Sequence, residues 1–269
     1  MSEQQYLPRS QEYELELNRL RLLEEIHDPV TIRHLGMLGV SQGWNCLEVG
    51  AGAGSMAQWL AKRVAYTGKV VATDIDIRFL RQVSMPNLEI RQHDIMKDDL
   101  ETGHYDLVHC RDLLMHLPEP EKVLRRMANA LRLGGWLLIE EADYGSMLSQ
   151  DVTNPAAVDG TAMLRATFDF VRKMGITDLY FGRRVRGLVE QLQFIDIGHD
   201  GWTDVVRPSD PFHRMLVMTA QVGLPLMVNS GSFTQEQVDN FMRLVSAPDF
   251  CGLGSTTFSA WGRRPFGKA

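Results

Sequence analysis

Residues 46–64, with the sequence CLEVGAGAGSMAQWLAKRV, join an apolar strand-like run to three closely spaced glycines and then to a helix-like pattern. The glycines Gly50, Gly52 and Gly54 stand at alternate positions and follow the acidic residue Glu48. Glycine costs about 0.5–1 kcal/mol relative to alanine inside regular structure, so three together indicate that something approaches the backbone closely. The chain is therefore expected to leave a buried strand through a turn nearly free of side chains.

Strands and helices alternate from residue 45 to residue 143. We predict strands at NCLEVG, GKVVATDID, NLEIRQHDI, YDLVHCRDLL and GWLLIEEAD, and helices at SMAQWLAKRV, IRFLRQV and EPEKVLRRMANALRLGG, the last closed by Gly134–Gly135. Such alternation is typical of a parallel sheet with right-handed crossovers. With two further strands at FIDIGHDGW and STTFSAWGRRP, the prediction is an α/β fold with a Rossmann-like, doubly wound, mostly parallel seven-stranded sheet.

The prediction divides the chain into three parts. Residues 1–43 form an N-terminal helical cap, residues 44–143 the Rossmann-like core, and residues 144–269 a part that completes the sheet. Helical insertions at about 144–181 and 210–246 are expected to form a roof over the rim where the strands end. Ligands of open α/β sheets bind at that rim.

Composition and charge exclude several function classes. The 28 basic and 34 acidic residues give a net charge of −6, which opposes binding to nucleic acid. There is no apolar run long enough for a membrane span, and the polar, acidic start argues against a targeting segment. The three cysteines are far apart and form no CxxC pair, as in reduced proteins. We expect a cytoplasmic protein with no metal, membrane or nucleic-acid partner, and leave open whether it is a homodimer.

The glycine loop and two carboxylates point to a particular ligand. The spacing here is GxGxG, with Ser55 where a dinucleotide-binding GxGxxG would have its last glycine. Glu48 would repel a pyrophosphate but suits an ammonium group. Asp74, 24 residues beyond Gly50 at the end of the second strand, can accept both ribose hydroxyls. S-adenosylmethionine (SAM) has the ribose, the cationic end and the low negative charge that this pattern requires.

Five segments carry a family resemblance. LEVGAGAGS, VVATDID, RQHDI, YDLVHCRDLLMHLPEP and LRLGGWLLIEE resemble, in order and spacing, the class I SAM-dependent methyltransferases, especially their small-molecule branch. The resemblance covers residues 44–142 well. It implies SAM as cofactor and transfer of its methyl group to an O, N or C nucleophile of a small organic molecule.

The resemblance also implies a cofactor site. Its residues are Glu48, Gly50, Ala51, Gly52, Gly54, Ser55, Asp74, Ile75, Asp94, Ile95, Cys110 and Arg111. Glu48 would support the ammonium end, often through water, and Asp74 would take the ribose hydroxyls. Ile75 and Ile95 would meet the adenine, with Asp94 at its amino group. The Cys110 carbonyl and Arg111 would line the methionine end, and Ser55 could add a hydroxyl contact.

Candidates for catalysis are His116, Asp143 and Tyr144. Relatives with HHLPDP often have the first histidine near the transferred methyl, but Met115 holds that position here and His116 matches the second. A histidine in an apolar turn is more often structural. Met147, Met163, Met215 and Met218, with Phe168, Phe170, Tyr180, Phe181 and Phe212, are candidates for an apolar pocket, although methionine at helical spacing is usually core filling.

Three other functions stay open. A SAM-binding enzyme with non-methylating chemistry and a protein methyltransferase share the same cofactor site. A dinucleotide oxidoreductase is disfavoured by Glu48 and by the missing third glycine.

Overall fold

The computed structural model describes residues 9–149 and 153–267. Its helices are α1 (Arg9–Met37), α2 (Ser55–Val64), α3 (Pro120–Ala130), α4 (Pro155–Lys173), α5 (Val185–Glu190), α6 (Pro211–Asn229) and α7 (Gln235–Val245). Its strands are β1 (Asn45–Val49), β2 (Lys69–Asp74), β3 (Leu88–Gln92), β4 (Tyr105–Arg111), β5 (Leu131–Asp143), β6 (Leu148–Ser149), β7 (Ile195–Val206) and β8 (Gly252–Arg263).

The strands form one mixed sheet in the order β3-β2-β1-β4-β5-β8-β6, with β7 also paired to β8. Strands β1 to β5 are parallel, and β8 runs antiparallel to β5. The predicted Rossmann-like sheet is confirmed, since seven strands are those expected and the eighth, β6, has only two residues. Because β1 to β5 are parallel, their carboxyl ends share one rim.

Two predicted local structures are wrong. Residues 77–82 form turns instead of a helix, with the Leu80 and Arg81 N–H groups both bonded to the Ile77 carbonyl. A helix this short is marginal without strong packing. Helix α3 ends at Ala130, before the predicted glycine pair, because the buried Leu131 is already extended and starts β5.

Apolar clusters lie on both faces of the sheet and, separately, under the roof. One face packs against α3 and α5, and the other against α2 and the end of α1. Helices α4, α6 and α7 meet in a cluster of their own around Phe241, and a fourth cluster around Phe168 and Phe212 joins α4 and α6 to α1. Within the described ranges, no helix is long and apolar enough to cross a membrane.

Gly54 precedes α2 and has a left-handed backbone with φ 93°. A Cβ atom at this position would lie 2.8 Å from Cδ2 of Leu80. We expect Gly54→Ala to lower the free energy of unfolding by about 1–3 kcal/mol, because a non-glycine residue is strained there. Urea denaturation followed by tryptophan fluorescence measures the effect. The matched control is Gly36→Ala in α1, where a Cβ meets nothing within 4 Å; an equal loss in both variants would contradict this explanation.

Candidate active site

A cavity of about 850 Å³ opens at the rim where β1, β2 and β4 end. The first half of α1 forms one side of it, and α4, α6 and α7 contribute its apolar wall. Its position is the usual ligand site of an α/β sheet, and its volume lies within the common range of about 300–1,000 Å³ for small-molecule sites. The rim therefore holds a site of small-molecule size.

The loop after β1 presents bare backbone to this cavity. Gly50 and Gly52 line it and have left-handed backbones, with φ 74° and 55°. The N–H groups of Gly50 and Ala51 donate to the Thr73 carbonyl at 2.8 and 3.0 Å, which ties the loop to the end of β2. The loop is thus held in a shape that a ligand can approach closely. Gly54 does not line the cavity.

Asp74 lies at the end of β2 and lines the cavity beside this loop. Its two carboxylate oxygens accept the N–H groups of Gly52 and Asp76, both at 2.9 Å. Burial raises the pKa of Asp74, and these backbone donors oppose the shift. Each carboxylate oxygen retains a second lone pair for a ligand hydroxyl. Ile75, the next residue, exposes 66% of its surface at the cavity edge.

Asp94 and Ile95 follow β3 and also line the cavity. Asp94 accepts the N–H of Met96 at 3.0 Å and pairs with Lys97 Nζ at 2.8 Å. The Lys97 hydrogen bond holds the pKa of Asp94 below its ordinary value. Ile95 is buried, with 6% of its surface exposed. A flat apolar ring could therefore lie between the isoleucines, with a carboxylate at its edge.

Strand β4 places Arg111 at the cavity but leaves Cys110 behind it. Cys110 is fully buried and does not line the cavity, and burial raises the pKa of its thiol. The Arg111 guanidinium lines the wall and donates to Asp28 and to the Thr31 hydroxyl, each at 2.8 Å. Of these two residues, Arg111 lines the cavity, and the predicted role of the Cys110 carbonyl stays a prediction.

Helix α1 supplies site residues that the sequence analysis missed. Glu24 lines the cavity and accepts the Ser55 N–H at 2.9 Å, so it caps α2 where glycine has no side chain. The Ser55 hydroxyl donates to Asp28 at 3.1 Å. The spacing of Glu24 and Asp28, four residues apart on one helix face, was an available signal. Helix α1 therefore borders the glycine-loop end of the cavity.

His116 lines the cavity in the turn after β4, next to Met115, which also lines it. Its side chain is exposed, and among the described residues no hydrogen bond to either ring nitrogen is observed. Desolvation lowers its pKa below the ordinary value of 6.5, against the nearby Asp112 carboxylate, which raises it. The imidazole is therefore neutral at pH 7 and able to accept a proton.

Tyr144 and Asp143 follow β5 but have different surroundings. Tyr144 lines the cavity, packs against Phe168 with ring centroids 5.8 Å apart, and has its pKa raised by burial. Asp143 is buried outside the cavity wall. Its carboxylate is bound by Arg183 and accepts the Gly145 N–H at 2.8 Å, so it holds the turn after β5. Of the three catalytic candidates, the structure brings His116 and Tyr144 to the cavity.

Three further charged groups, Asp112, Arg19 and Glu16, lie near His116. Asp112 has a left-handed backbone (φ 49°), a conformation that aspartate tolerates better than most residues, and its side chain lines the cavity. Its carboxylate accepts the Ala142 N–H at 3.2 Å. Arg19 of α1 pairs with Glu16 at 2.6 Å, and both line the cavity. The surroundings of His116 are thus polar on the side of the sheet and α1.

The opposite wall of the cavity is apolar. Of the predicted pocket residues, Met147, Met215, Phe168 and Phe212 line it, whereas Met163, Met218, Phe170, Tyr180 and Phe181 do not. Phe181 packs under the sheet, and Met163 packs between roof helices. Leu164, Leu216, Leu224 and Phe241 complete this wall.

The chain is similar to a methyltransferase family and to several curated methyltransferases. Residues 8–194 match the model of a family described as a methyltransferase domain. Methyltransferase str3 of Strobilurus tenacellus is 26% identical over 164 residues, covering 58% of this chain and 54% of that protein. Methyltransferase GfsG of Streptomyces halstedii is 26% identical over 196 residues, covering 70% and 66%. A ubiquinone biosynthesis O-methyltransferase of Albidiferax ferrireducens is 27% identical over 125 residues, covering 44% and 48%. The matches span about half the length of the first of these curated relatives.

Solved structures share the fold. The YcgJ protein of Bacillus subtilis has a TM-score of 0.59 at 13% identity, covering 90% of this chain and all of that one. Phosphoethanolamine N-methyltransferase 2 of Haemonchus contortus, solved in complex with S-adenosyl-L-methionine, has a TM-score of 0.53 at 17% identity, covering 87% of this chain and 52% of that one.

Proposed function

The chain belongs to the methyltransferase-domain family, that of the class I SAM-dependent enzymes, and from this premise we propose that it methylates a hydroxyl group of an apolar small molecule. The observation that carries the proposal is the division of one cavity into two ends. Carboxylates and a bare glycine loop line the sheet end, and a neutral imidazole faces an apolar wall at the other.

The sheet end suits the cofactor. The carboxylates of Glu48 and Asp74 stand on either side of the loop at Gly50 and Gly52, and Asp94 lies beyond β2. We assign Glu48 to the ammonium group, Asp74 to the ribose hydroxyls, and Asp94 with the two isoleucines to the adenine. When bound, SAM supplies an electrophilic methyl group and its own leaving group.

The roof end suits the acceptor. Alignment of acceptor and methyl donor, together with exclusion of water by the apolar wall, can remove about 7–11 kcal/mol of the barrier. A hydroxyl acceptor must also lose its proton, and we assign its removal to the neutral imidazole of His116. Tyr144, whose hydroxyl has no partner in the described chain, would orient the acceptor. An amine acceptor would not need such a base.

The assignment of parts belongs to the same proposal. Helix α1 of the predicted cap would cover the cofactor, residues 44–143 would bind it, and helices α4, α6 and α7 would select the acceptor. Residues 1–8 of the predicted cap and residues 150–152 of the first insertion lie outside the described residues. We place the protein in the cytoplasm.

We expect the purified protein to bind SAM and to form S-adenosylhomocysteine when a matching phenol is supplied. The assay incubates protein and methyl-labelled SAM with a panel of apolar phenols, and in parallel with amines of the same carbon skeletons. Label should appear in phenol ethers, because the proposed base can remove the phenol proton during methyl transfer. Exclusive labelling of amines would contradict the acceptor assignment, and absence of SAM binding would contradict the proposed function.

A further inference from the structure

A row of polar side chains crosses the sheet beneath α1. It contains Glu48 on β1, His109 on β4, Glu140 on β5, Ser259 on β8 and Asp200 on β7. Adjacent strands bring Glu48 opposite His109, Glu140 opposite Ser259, and Ser259 opposite Asp200. Glu48, His109, Glu140 and Ser259 each have 3% or less of their surface exposed, and Asp200 reaches the protein surface. Buried polar side chains in this number need partners, and the row supplies them.

Hydrogen bonds connect the row from the cavity to the surface. His109 Nδ1 lies 2.6 Å from Glu48 Oε2, and His109 Nε2 lies 3.4 Å from Glu140 Oε2. His34 of α1 continues it, with Nδ1 2.9 Å from Glu140 Oε1 and Nε2 3.2 Å from Asp200 Oδ2. The Ser259 hydroxyl donates to Glu140 Oε1 at 2.7 Å. Glu140 is thus the shared acceptor at the centre of the row.

The geometry favours the charged form of both imidazoles. Each has a carboxylate oxygen at both ring nitrogens, and an ionised carboxylate only accepts hydrogen bonds. In a neutral imidazole, the lone pair of the unprotonated nitrogen would face a carboxylate oxygen, which is unfavourable. Burial alone would lower the pKa of His109, but Glu48 and Glu140 raise it to about 9. Carboxylates and imidazolium groups therefore alternate along the row.

One oxygen of Glu48 is left for a ligand. Oε2 is held by His109, whereas Oε1 has no hydrogen-bond partner in the described part of the chain, and Glu48 lines the cavity. We propose that His109, anchored by Glu140, is a positioning residue that fixes Glu48 so that its second oxygen binds the ammonium group of the cofactor. This proposal rests on the proposed function, because it takes SAM as the ligand.

The test compares two ligands that differ at the ammonium end. S-adenosylhomocysteine has the amino-acid part, and 5′-methylthioadenosine lacks it. In His109→Gln, calorimetry should show the Kd of S-adenosylhomocysteine raised about tenfold or more, since a fixed charge-assisted hydrogen bond is lost, and the Kd of methylthioadenosine changed less than about twofold. Glutamine can donate to one carboxylate but cannot bridge both as a cation. His199→Gln, an exposed histidine of β7, is the matched control and should leave both values unchanged.

Equal weakening of both ligands, or of neither, would overturn the positioning role. If the wild-type protein binds neither ligand, the result contradicts the proposed function itself. A measurement on the wild type alone covers the case in which the variant does not fold. Nitrogen NMR at pH 7 should show both His109 ring nitrogens protonated, with shifts that respond to S-adenosylhomocysteine and not to methylthioadenosine. A neutral His109, or an equal response to both ligands, would contradict the proposal.

Discussion

The His116→Gln variant is expected to bind SAM normally while its kcat for a phenolic acceptor falls by about 10²–10⁴-fold, the usual contribution of a general base. The reason is the position of His116, whose exposed imidazole lines the cavity and makes no hydrogen bond with the described residues. Steady-state kinetics with the best phenol of the panel measures the loss. An acceptor phenol of lower pKa should recover part of it, because that phenol is already ionised at pH 7.

The pH dependence gives a second check on His116. Desolvation keeps its pKa below 6.5, so the base is neutral at pH 7 and becomes protonated only as the pH falls below that value. Wild-type kcat should therefore be constant near neutrality and decrease on the acid side, and the acid limb should vanish in the variant. The control is His104→Gln, an exposed histidine before β4. A kcat for His116→Gln within about threefold of the wild type would exclude the base role, given the contribution expected of a base.

Asp74→Ala is expected to raise the Kd for SAM by about 100-fold or more. Two ribose hydroxyls would each lose a hydrogen bond to a charged group, and such bonds contribute about 1.5–3 kcal/mol apiece. Calorimetry measures the affinity, and thermal denaturation reports any loss of fold from the missing Gly52 and Asp76 contacts.

Asp76→Ala is the matched control for this effect. Asp76 also lines the cavity, but Arg78 binds its carboxylate at 2.6 Å. We expect its Kd to stay within about threefold of the wild type, because the exposed pair contributes little. Undiminished affinity in Asp74→Ala, or an equal loss in both variants, would contradict the ribose assignment.

The sheet could be predicted from local signals. Strands β1 to β5 contain apolar runs separated by turn residues, and helices α2 and α3 lie in two of the four connections between them, which indicates parallel order. The prediction of a helix at 77–82 was wrong because the few apolar residues of this segment fit a helix or a turn equally well. The predicted end of α3 was wrong because burial of Leu131 against the sheet outweighs the cap signal of the glycine pair that follows.

The site could be predicted only in part. Gly50, Gly52 and Asp74 follow strands directly, so the rim rule places them at the cavity. The apolar residues of α1 lie on no single side and do not indicate which face packs, so the only signal for its contribution was the spacing of Glu24 and Asp28. The partners of His109 could not be predicted from the sequence. Glu48 and Glu140 lie 61 and 31 residues away, and only the lateral order of the strands brings them together.

The separate apolar cluster of α4, α6 and α7 has an evolutionary consequence. These helices pack on one another around Phe241, a second cluster around Phe168 and Phe212 joins α4 and α6 to α1, and the strands of the sheet pack in other clusters. Substitutions at Ala220 or Leu224, which line the cavity and belong only to the cluster around Phe241, are therefore expected to reshape the apolar wall with little effect on the glycine-loop end. A lineage with this architecture can diversify its products while it inherits the same chemistry, and laboratory evolution of acceptor range should begin at those positions.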